Sequence, residues 1–227
     1  MGSKFAVSSG DWLPVQIRPV NLPNQLTVSR LALTVVFLAV MFSRSPINDT
    51  LALVIFSVAG LTDLLDGRIA RRRGLITNFG ILMDPLADKI LTCSAFIALI
   101  ERHMLTPPEV VFTLGSLTFR PQVAAWMVVI IVARELAITG LRLLAASKNL
   151  VLAAERYGKH KTISQIVAII ALLVLDAHVE WWPWLSTLFD PWTPAFCLLA
   201  LWVTVLLTAA SGVIYLWRNR GLYLHDM

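Results

Sequence analysis

The stretch DLLDGRIARRR, Asp63–Arg73, follows directly on the apolar run TLALVIFSVAGLT, and another apolar run opens with DPLADK at Asp84. A charge at the bilayer centre costs about 2.5–3.5 kcal/mol on insertion scales, so four aspartates there would cost on the order of 10 kcal/mol. Segments that read as lipid-facing therefore carry a penalty that only a partner or a function explains. How these carboxylates are accommodated decides both the architecture and the chemistry.

The rest of the chain reads the same way. Of its 227 residues, 57% are hydrophobic and 15% charged, and the mean hydropathy is +0.74. A soluble domain is nearer half apolar and a quarter charged. Crossing about 30 Å of hydrocarbon takes about 20 helical residues. Six stretches qualify: Leu26–Phe42, Thr50–Leu65, Phe79–Ile100, Gln122–Leu144, Thr162–Ala177 and Ala195–Trp217. The expected fold is an all-α integral membrane protein, a bundle of six transmembrane helices. It forms one membrane-embedded domain over residues 1–227: a cytoplasmic or interfacial N-terminal segment over 1–25, VQIRPVNLPN within it, and a six-span core over 26–217. No cleavable signal peptide is evident, so the first span is expected to act as the insertion signal.

The connections set the orientation. Lys4, Arg18, Arg68, the run Arg71–Arg73, Arg142, Lys148, Arg156, Lys159, Lys161, Arg218 and Arg220 fall on one side, and only Arg44, Arg102 and Arg120 on the other. By the positive-inside rule both termini face the cytoplasm, as in a multi-pass protein of a bacterial-type inner membrane. The net charge of +5 is spread between apolar segments rather than gathered in a stripe, which argues against nucleic acid and for membrane lipids and phosphorylated substrates. Cys93 and Cys197 lie inside apolar runs and make no disulfide framework. The outer loop ERHMLTPPEVVFTLGSLTFRP admits a short hairpin or an interfacial segment. The other, DAHVEWWPWLSTLFDPWTP, has no Lys or Arg, and its Trp181, Trp182, Trp184 and Trp192 suit an interface anchor. His103 and His178 fall in these loops and are expected to be solvated.

This orientation brings the aspartates to the cytoplasmic ends of the second and third spans. Asp63 and Asp66 are three apart and Asp84 and Asp88 four apart, so each pair projects from one face of a helix. Two pairs of hard oxygen ligands on neighbouring helices suit one or two divalent cations such as Mg²⁺, and four like charges do not stay ionised together without one. An ion network with Arg68, Arg71, Arg72 and Arg73 accounts for the charges but not for the spacing. A calcium loop of the EF-hand kind fails, because its acids alternate within one loop.

Asp63, Asp66, Gly67, Ala70, Arg71, Gly80, Asp84 and Asp88 stand at the spacing D-x2-D-G-x2-A-R-x8-G-x3-D-x3-D. This resembles the signature of the CDP-alcohol phosphatidyltransferases, membrane enzymes of six helices. The resemblance implies two divalent cations, Mg²⁺ or Mn²⁺, held by the aspartates, a CDP-linked lipid donor, release of CMP to an alcohol acceptor, and a homodimer. It makes Asp63, Asp66, Asp84 and Asp88 the metal ligands, with Asp88 also the general base toward the acceptor hydroxyl. Arg71 clamps a phosphate, Gly67 and Ala70 leave room for the cytidine, and Gly80 and Thr77 complete the donor site. Asn24 and Thr27, at the inner start of the first span, either touch the nucleotide or cap a helix.

Three further segments, NLPNQLTVSR, VARELAITGLRLLA and RYGKHKTISQ, resemble the branch of that family that uses CDP-diacylglycerol and glycerol 3-phosphate. A phosphorylated acceptor needs cations beside the metals. Arg134 and Glu135, late in the fourth span, Arg142 seven residues on, and Lys159 and Lys161 at the opening of the fifth are the candidates, with Glu135 orienting one of the cations. Alternatively Glu135 and Arg142 are a structural pair and the lysines only fix topology. A cardiolipin synthase of the same fold, or another acceptor, is the nearest competing activity. From a different class, a cation-coupled carrier would use the aspartates as an ion site, but its site belongs near mid-membrane and gives no reason for Gly67, Ala70 and Arg71.

Overall fold

Long apolar runs become helices here, and polar side chains at one end tie neighbouring helices together. The structure, a computed structural model, describes residues 22–43, 45, 47–73, 78–105, 112–114, 116–148 and 157–224. Within these, the side chains of 22–24, 26, 63–73, 78–85, 112, 114, 117, 146–147, 157–159 and 223–224 fall outside the description. The order is α1 (Leu22–Phe42), α2 (Asn48–Arg73), α3 (Asn78–Leu105), β1 (Phe112–Leu114), β2 (Leu117–Phe119), α4 (Ala125–Ser147), α5 (Tyr157–Ala177), a 3₁₀ turn (His178–Glu180), α6 (Pro183–Phe189), α7 (Thr193–Arg218) and α8 (Gly221–Leu224). The long helices α1 to α5 and α7 have 21 to 28 residues, hence lengths of about 32–42 Å.

A layer of hydrogen bonds fixes which helix ends lie together. The Asn48 side chain, opening α2, donates to the Ser43 carbonyl at 2.7 Å and the Val40 carbonyl at 3.3 Å, closing the C-terminus of α1. The Glu180 carboxylate, just past α5, accepts from the backbone N–H of Asp49 (3.1 Å) and Thr50 (2.9 Å) and from the Thr50 hydroxyl (2.7 Å). An anion at a helix N-terminus takes up orphan donors and opposes the macrodipole. Arg102, in the last turn of α3, pairs with Asp49. These contacts join the C-terminal ends of α1, α3 and α5 to the N-terminal end of α2, so successive helices run up and down.

The two histidines expected in solvent belong to this layer instead. His103 is 3% exposed and His178 1%. The Val123 N–H donates to His103 Nδ1 at 3.3 Å, so Nε2 carries the ring hydrogen and donates it to Asp176 at 3.2 Å. One imidazole thus links α3, the approach to α4, and α5. His178 Nδ1 lies 2.7 Å from the Leu175 carbonyl and Nε2 3.1 Å from Asp190. Buried ring nitrogens need partners, and acids one helix away supply them.

Aromatic and aliphatic side chains fill the interior. Phe37 of α1 meets Phe56 of α2 with ring centroids 5.7 Å apart. Ala168, Ile169, Leu172 and Leu173 of α5 are fully buried, because α5 packs against α2, α3 and α7. α1 packs against both α2 and α3, and α4 against α7. The outward surface is apolar too: Val129, Leu136 and Leu143 form a stripe along α4 at 64%, 66% and 59% exposure, and Leu51, Val54, Val58 and Leu61 line one face of α2. Stripes of this size in water promote association; against lipid they are the native surface.

Among the described residues, two helical stretches are apolar and long enough to cross a membrane, His160–Glu180 and Thr193–Arg218, and Thr27–Phe42 and Asn48–Thr62 are shorter apolar stretches. α3 and α4 carry charges within their length, Asp88 and Lys89 in the one, Arg134 and Glu135 in the other, which lowers their apolarity. The loop between α3 and α4, for which the sequence admitted a hairpin or an interfacial segment, holds an antiparallel hairpin, Phe112 facing Phe119 and Leu114 facing Leu117. α1 opens at Leu22, so the last residues of the expected 1–25 segment are helical, and the rest of that segment lies outside the described residues. Of the tryptophans, Trp182, Trp184 and Trp192 are exposed as an interface anchor requires, but Trp181 donates its indole N–H to the Thr50 hydroxyl at 3.1 Å and helps hold α2.

Candidate active site

α2 continues unbroken to Arg73, so the helix that begins at this hydrogen-bonded layer carries Asp63, Asp66, Gly67, Ala70 and Arg71 on its last turns. Asp63 lies about 22 Å and Asp66 about 27 Å along the axis from Asn48. α3 begins at Asn78 and carries Gly80, Asp84 and Asp88 in its first three turns. The i, i+3 and i, i+4 acids therefore stand on regular helix, each pair on one helical face. The side chains of Asp63, Asp66, Gly67, Ala70, Arg71, Gly80 and Asp84 lie outside the described residues, as do Thr77 as a whole and the side chains of Asn24 and Lys159. Asp88 is half-buried.

At the same end of the bundle, α3, α4, α5 and α7 bring polar side chains together. Glu135 of α4 is buried and pairs with Lys161 of α5, also buried. It receives a further hydrogen bond from the Gln165 amide at 3.4 Å and stands 3.4 Å from Nη1 of Arg134. Lys89, next to Asp88, donates to the Thr139 hydroxyl, which in turn donates to the Glu135 carbonyl at 2.7 Å. Arg142, exposed, lies against Tyr215 of α7: Nε is 3.5 Å from the phenol oxygen, and the guanidinium carbon is 5.9 Å from the ring centre.

Thus Glu135 meets Lys161, Arg134 and Gln165, while Arg142 turns to Tyr215, so the alternative of a Glu135–Arg142 pair gives way to these contacts. Glu135 also lies deeper than expected. It is the eleventh residue of the 23 in α4, about 15 Å from one end and 18 Å from the other, rather than late in the span. A buried carboxylate and ammonium at that depth survive because protein groups, not lipid, surround them.

Sequence reasoning passed over Lys89, Thr139, Gln165 and Tyr215. Lys89 follows Asp88 directly, and a lysine one residue from a candidate ligand acid is a legible signal. Thr139 and Tyr215 gain meaning only from helix packing. Thr27 is buried within α1, and since α1 opens at Leu22, neither Asn24 nor Thr27 stands at the N-cap. Arg30, one turn further on, is buried as well.

Carboxylates spaced i, i+3 and i, i+4 are, by their chemistry, a set of hard oxygen donors that suits a divalent cation. Among the described residues no group of three or more His, Cys, Asp or Glu gathers to hold a metal. Arranged this way, one end of the bundle has acids on α2 and α3 and cations on α3, α4 and α5, suited to a substrate with phosphate groups.

A family model described as CDP-alcohol phosphatidyltransferase matches residues 20–218, and the chain belongs to that family. A Bacillus subtilis protein named CDP-diacylglycerol--glycerol-3-phosphate 3-phosphatidyltransferase is 36% identical over 211 residues, covering 88% of this chain and 95% of the relative. A Rickettsia bellii protein of the same name is 29% identical over 195 residues, 86% of this chain and 93% of its own. An Arabidopsis thaliana protein, CDP-diacylglycerol--glycerol-3-phosphate 3-phosphatidyltransferase 1, chloroplastic/mitochondrial, is 34% identical over 167 residues, 71% of this chain and 54% of its own.

Proposed function

We infer that this chain transfers the phosphatidyl group of CDP-diacylglycerol to glycerol 3-phosphate, releasing CMP and forming phosphatidylglycerophosphate in phospholipid biosynthesis. The observation that carries it is the 36% identity to the Bacillus subtilis enzyme over 88% of the chain, together with the family match from residue 20 to 218. The primary hydroxyl oxygen of glycerol 3-phosphate bonds to the phosphorus that bears the diacylglycerol. The bond from that phosphorus to the bridging oxygen breaks, and CMP leaves with the electron pair.

The finer reading rests on the sequence pattern and is supported by the helical placement of the acids. Asp63, Asp66, Asp84 and Asp88 would hold two divalent cations, Mg²⁺ or Mn²⁺, which neutralise charge on the pyrophosphate when bound. Asp88 takes the proton from the acceptor hydroxyl, as the acid next to Lys89 on α3. Arg71, Gly67, Ala70, Thr77, Gly80, Asn24 and Thr27 bind the donor. Arg134, Arg142, Lys159 and Lys161 bind the acceptor phosphate, Glu135 orients Lys161 and Arg134, and Lys89 joins them. The domain is one bundle of six spans with cytoplasmic termini and active site in a bacterial-type inner membrane, working as a homodimer. The positive-inside bias and the outward apolar stripes favour this arrangement.

The test is CMP release by purified protein given CDP-diacylglycerol, Mg²⁺ and a panel of acceptors. Release with glycerol 3-phosphate and not with phosphatidylglycerol, inositol phosphate or serine is the expected result. Release with phosphatidylglycerol instead would assign a cardiolipin synthase, and release with no acceptor would remove the transferase reading.

A further inference from the structure

Arg134 is held in place by an absence on the opposite helix. A Cβ added at Gly212 of α7 would stand 2.8 Å from Cγ of Arg134 and 3.6 Å from its Cβ. Carbon atoms pack at about 3.5–4.0 Å, so the first of these contacts is a collision. Cγ is only the second side-chain atom out from the α4 backbone. It cannot swing clear as a side-chain tip can, and relief requires a new χ1 rotamer or a shift of α4 against α7. Gly60, Gly140 and Gly221 have nothing within 4 Å of a Cβ, so the restriction is particular to Gly212 among the described glycines.

The stem of Arg134 crosses this gap within a groove between α4 and α7 whose other walls are apolar, among them Ala133, Ala137, Ala209 and Val213. Its side chain is 13% exposed, and its Nη1 faces Glu135. One turn beyond Gly212, Tyr215 takes up Arg142. The same stretch of α7 therefore sets the direction of two α4 arginines, one by leaving space and one by filling it.

We propose that Gly212 is a positioning residue: by admitting the Arg134 stem it aims that guanidinium at the Glu135–Lys161 cluster and so sets affinity for the phosphate of the acceptor. This rests on the reading of Arg134 as a phosphate ligand, and the experiment separates the two. Gly212→Ala, Arg134→Ala, the double variant and Gly140→Ala are compared for kcat, for KM toward glycerol 3-phosphate and toward CDP-diacylglycerol, and for melting temperature in detergent. A displaced charge-assisted hydrogen bond weakens binding by about tenfold or more.

Gly212→Ala is expected to raise KM for glycerol 3-phosphate by that factor while KM for CDP-diacylglycerol stays put and kcat changes little. Gly140→Ala should leave all three unchanged. Because Arg134→Ala has no Cγ, adding Gly212→Ala to it should make nothing worse. If Arg134→Ala raises KM and Gly212→Ala does not, the positioning role is wrong and the phosphate ligand stands. If Arg134→Ala leaves KM unchanged, the ligand reading falls and takes the proposal with it. Should Gly212→Ala alone fail to fold, the double variant decides: recovery of folding supports the collision with Arg134, and failure of the double overturns it.

Discussion

Lys161→Met removes the ammonium from a buried pair while keeping a side chain of similar length and apolar volume. Glu135 and Lys161 are 7% and 6% exposed, so the remaining carboxylate has little access to water. Breaking such a pair from one side costs about 3–5 kcal/mol, because a charge stays buried without its partner. Arg134 and Gln165, each at 3.4 Å, are near the outer limit of a hydrogen bond and recover only part of that. The expected loss is therefore at the lower end, about 3 kcal/mol, or roughly a hundredfold in the folding equilibrium. Denaturant titration in detergent micelles, read by tryptophan fluorescence, measures it. Adding Glu135→Leu should return most of the lost stability, since the double variant buries no unpaired charge. A loss below about 1 kcal/mol for Lys161→Met, or a double variant no better than the single, refutes the view that these two groups stabilise each other in a dry interior.

Other perturbations read other parts of the molecule. Asp88→Asn should abolish CMP release while calorimetry still detects CDP-diacylglycerol binding; near-normal turnover would remove the general-base role. Chelation by EDTA should stop the reaction, and either Mg²⁺ or Mn²⁺ should restore it; activity that survives exhaustive chelation contradicts the metal assignment. Glu180→Ala strips three hydrogen bonds from the start of α2 and should lower stability by about 1–2 kcal/mol, seen as a lower melting temperature. Its kcat should hold, because Glu180 lies beyond the far end of α5, more than about 20 Å from Lys161; a matching fall in kcat would show that the two ends of the bundle are coupled.

Periodicity and run length made most of this fold legible. Each of the six apolar stretches lies largely within one long helix, with limits that differ by a few residues, because α2, α3 and α5 extend past the apolar part into polar sequence that still hydrogen-bonds as helix. The spacing of Asp63, Asp66, Asp84 and Asp88 was readable because helix geometry converts it directly into faces. Tertiary partners were not readable. His103 and His178 look like loop residues until Asp176 and Asp190 are brought beside them. The depth of Glu135 is set by where α4 ends, at Ser147, and by the approach of Lys161 from another helix, neither of which the apolar run reveals. Gly212 gave no sign at all, since a helical glycine gains its meaning only from the side chain opposite it.

Anomalous scattering from crystals grown with Mn²⁺ tests most directly whether acids from α2 and α3 share cations. Manganese peaks within coordination distance of Asp63, Asp66, Asp84 and Asp88 together are the expected result. Manganese bound elsewhere, with those four carboxylates turned toward separate surfaces, would contradict it.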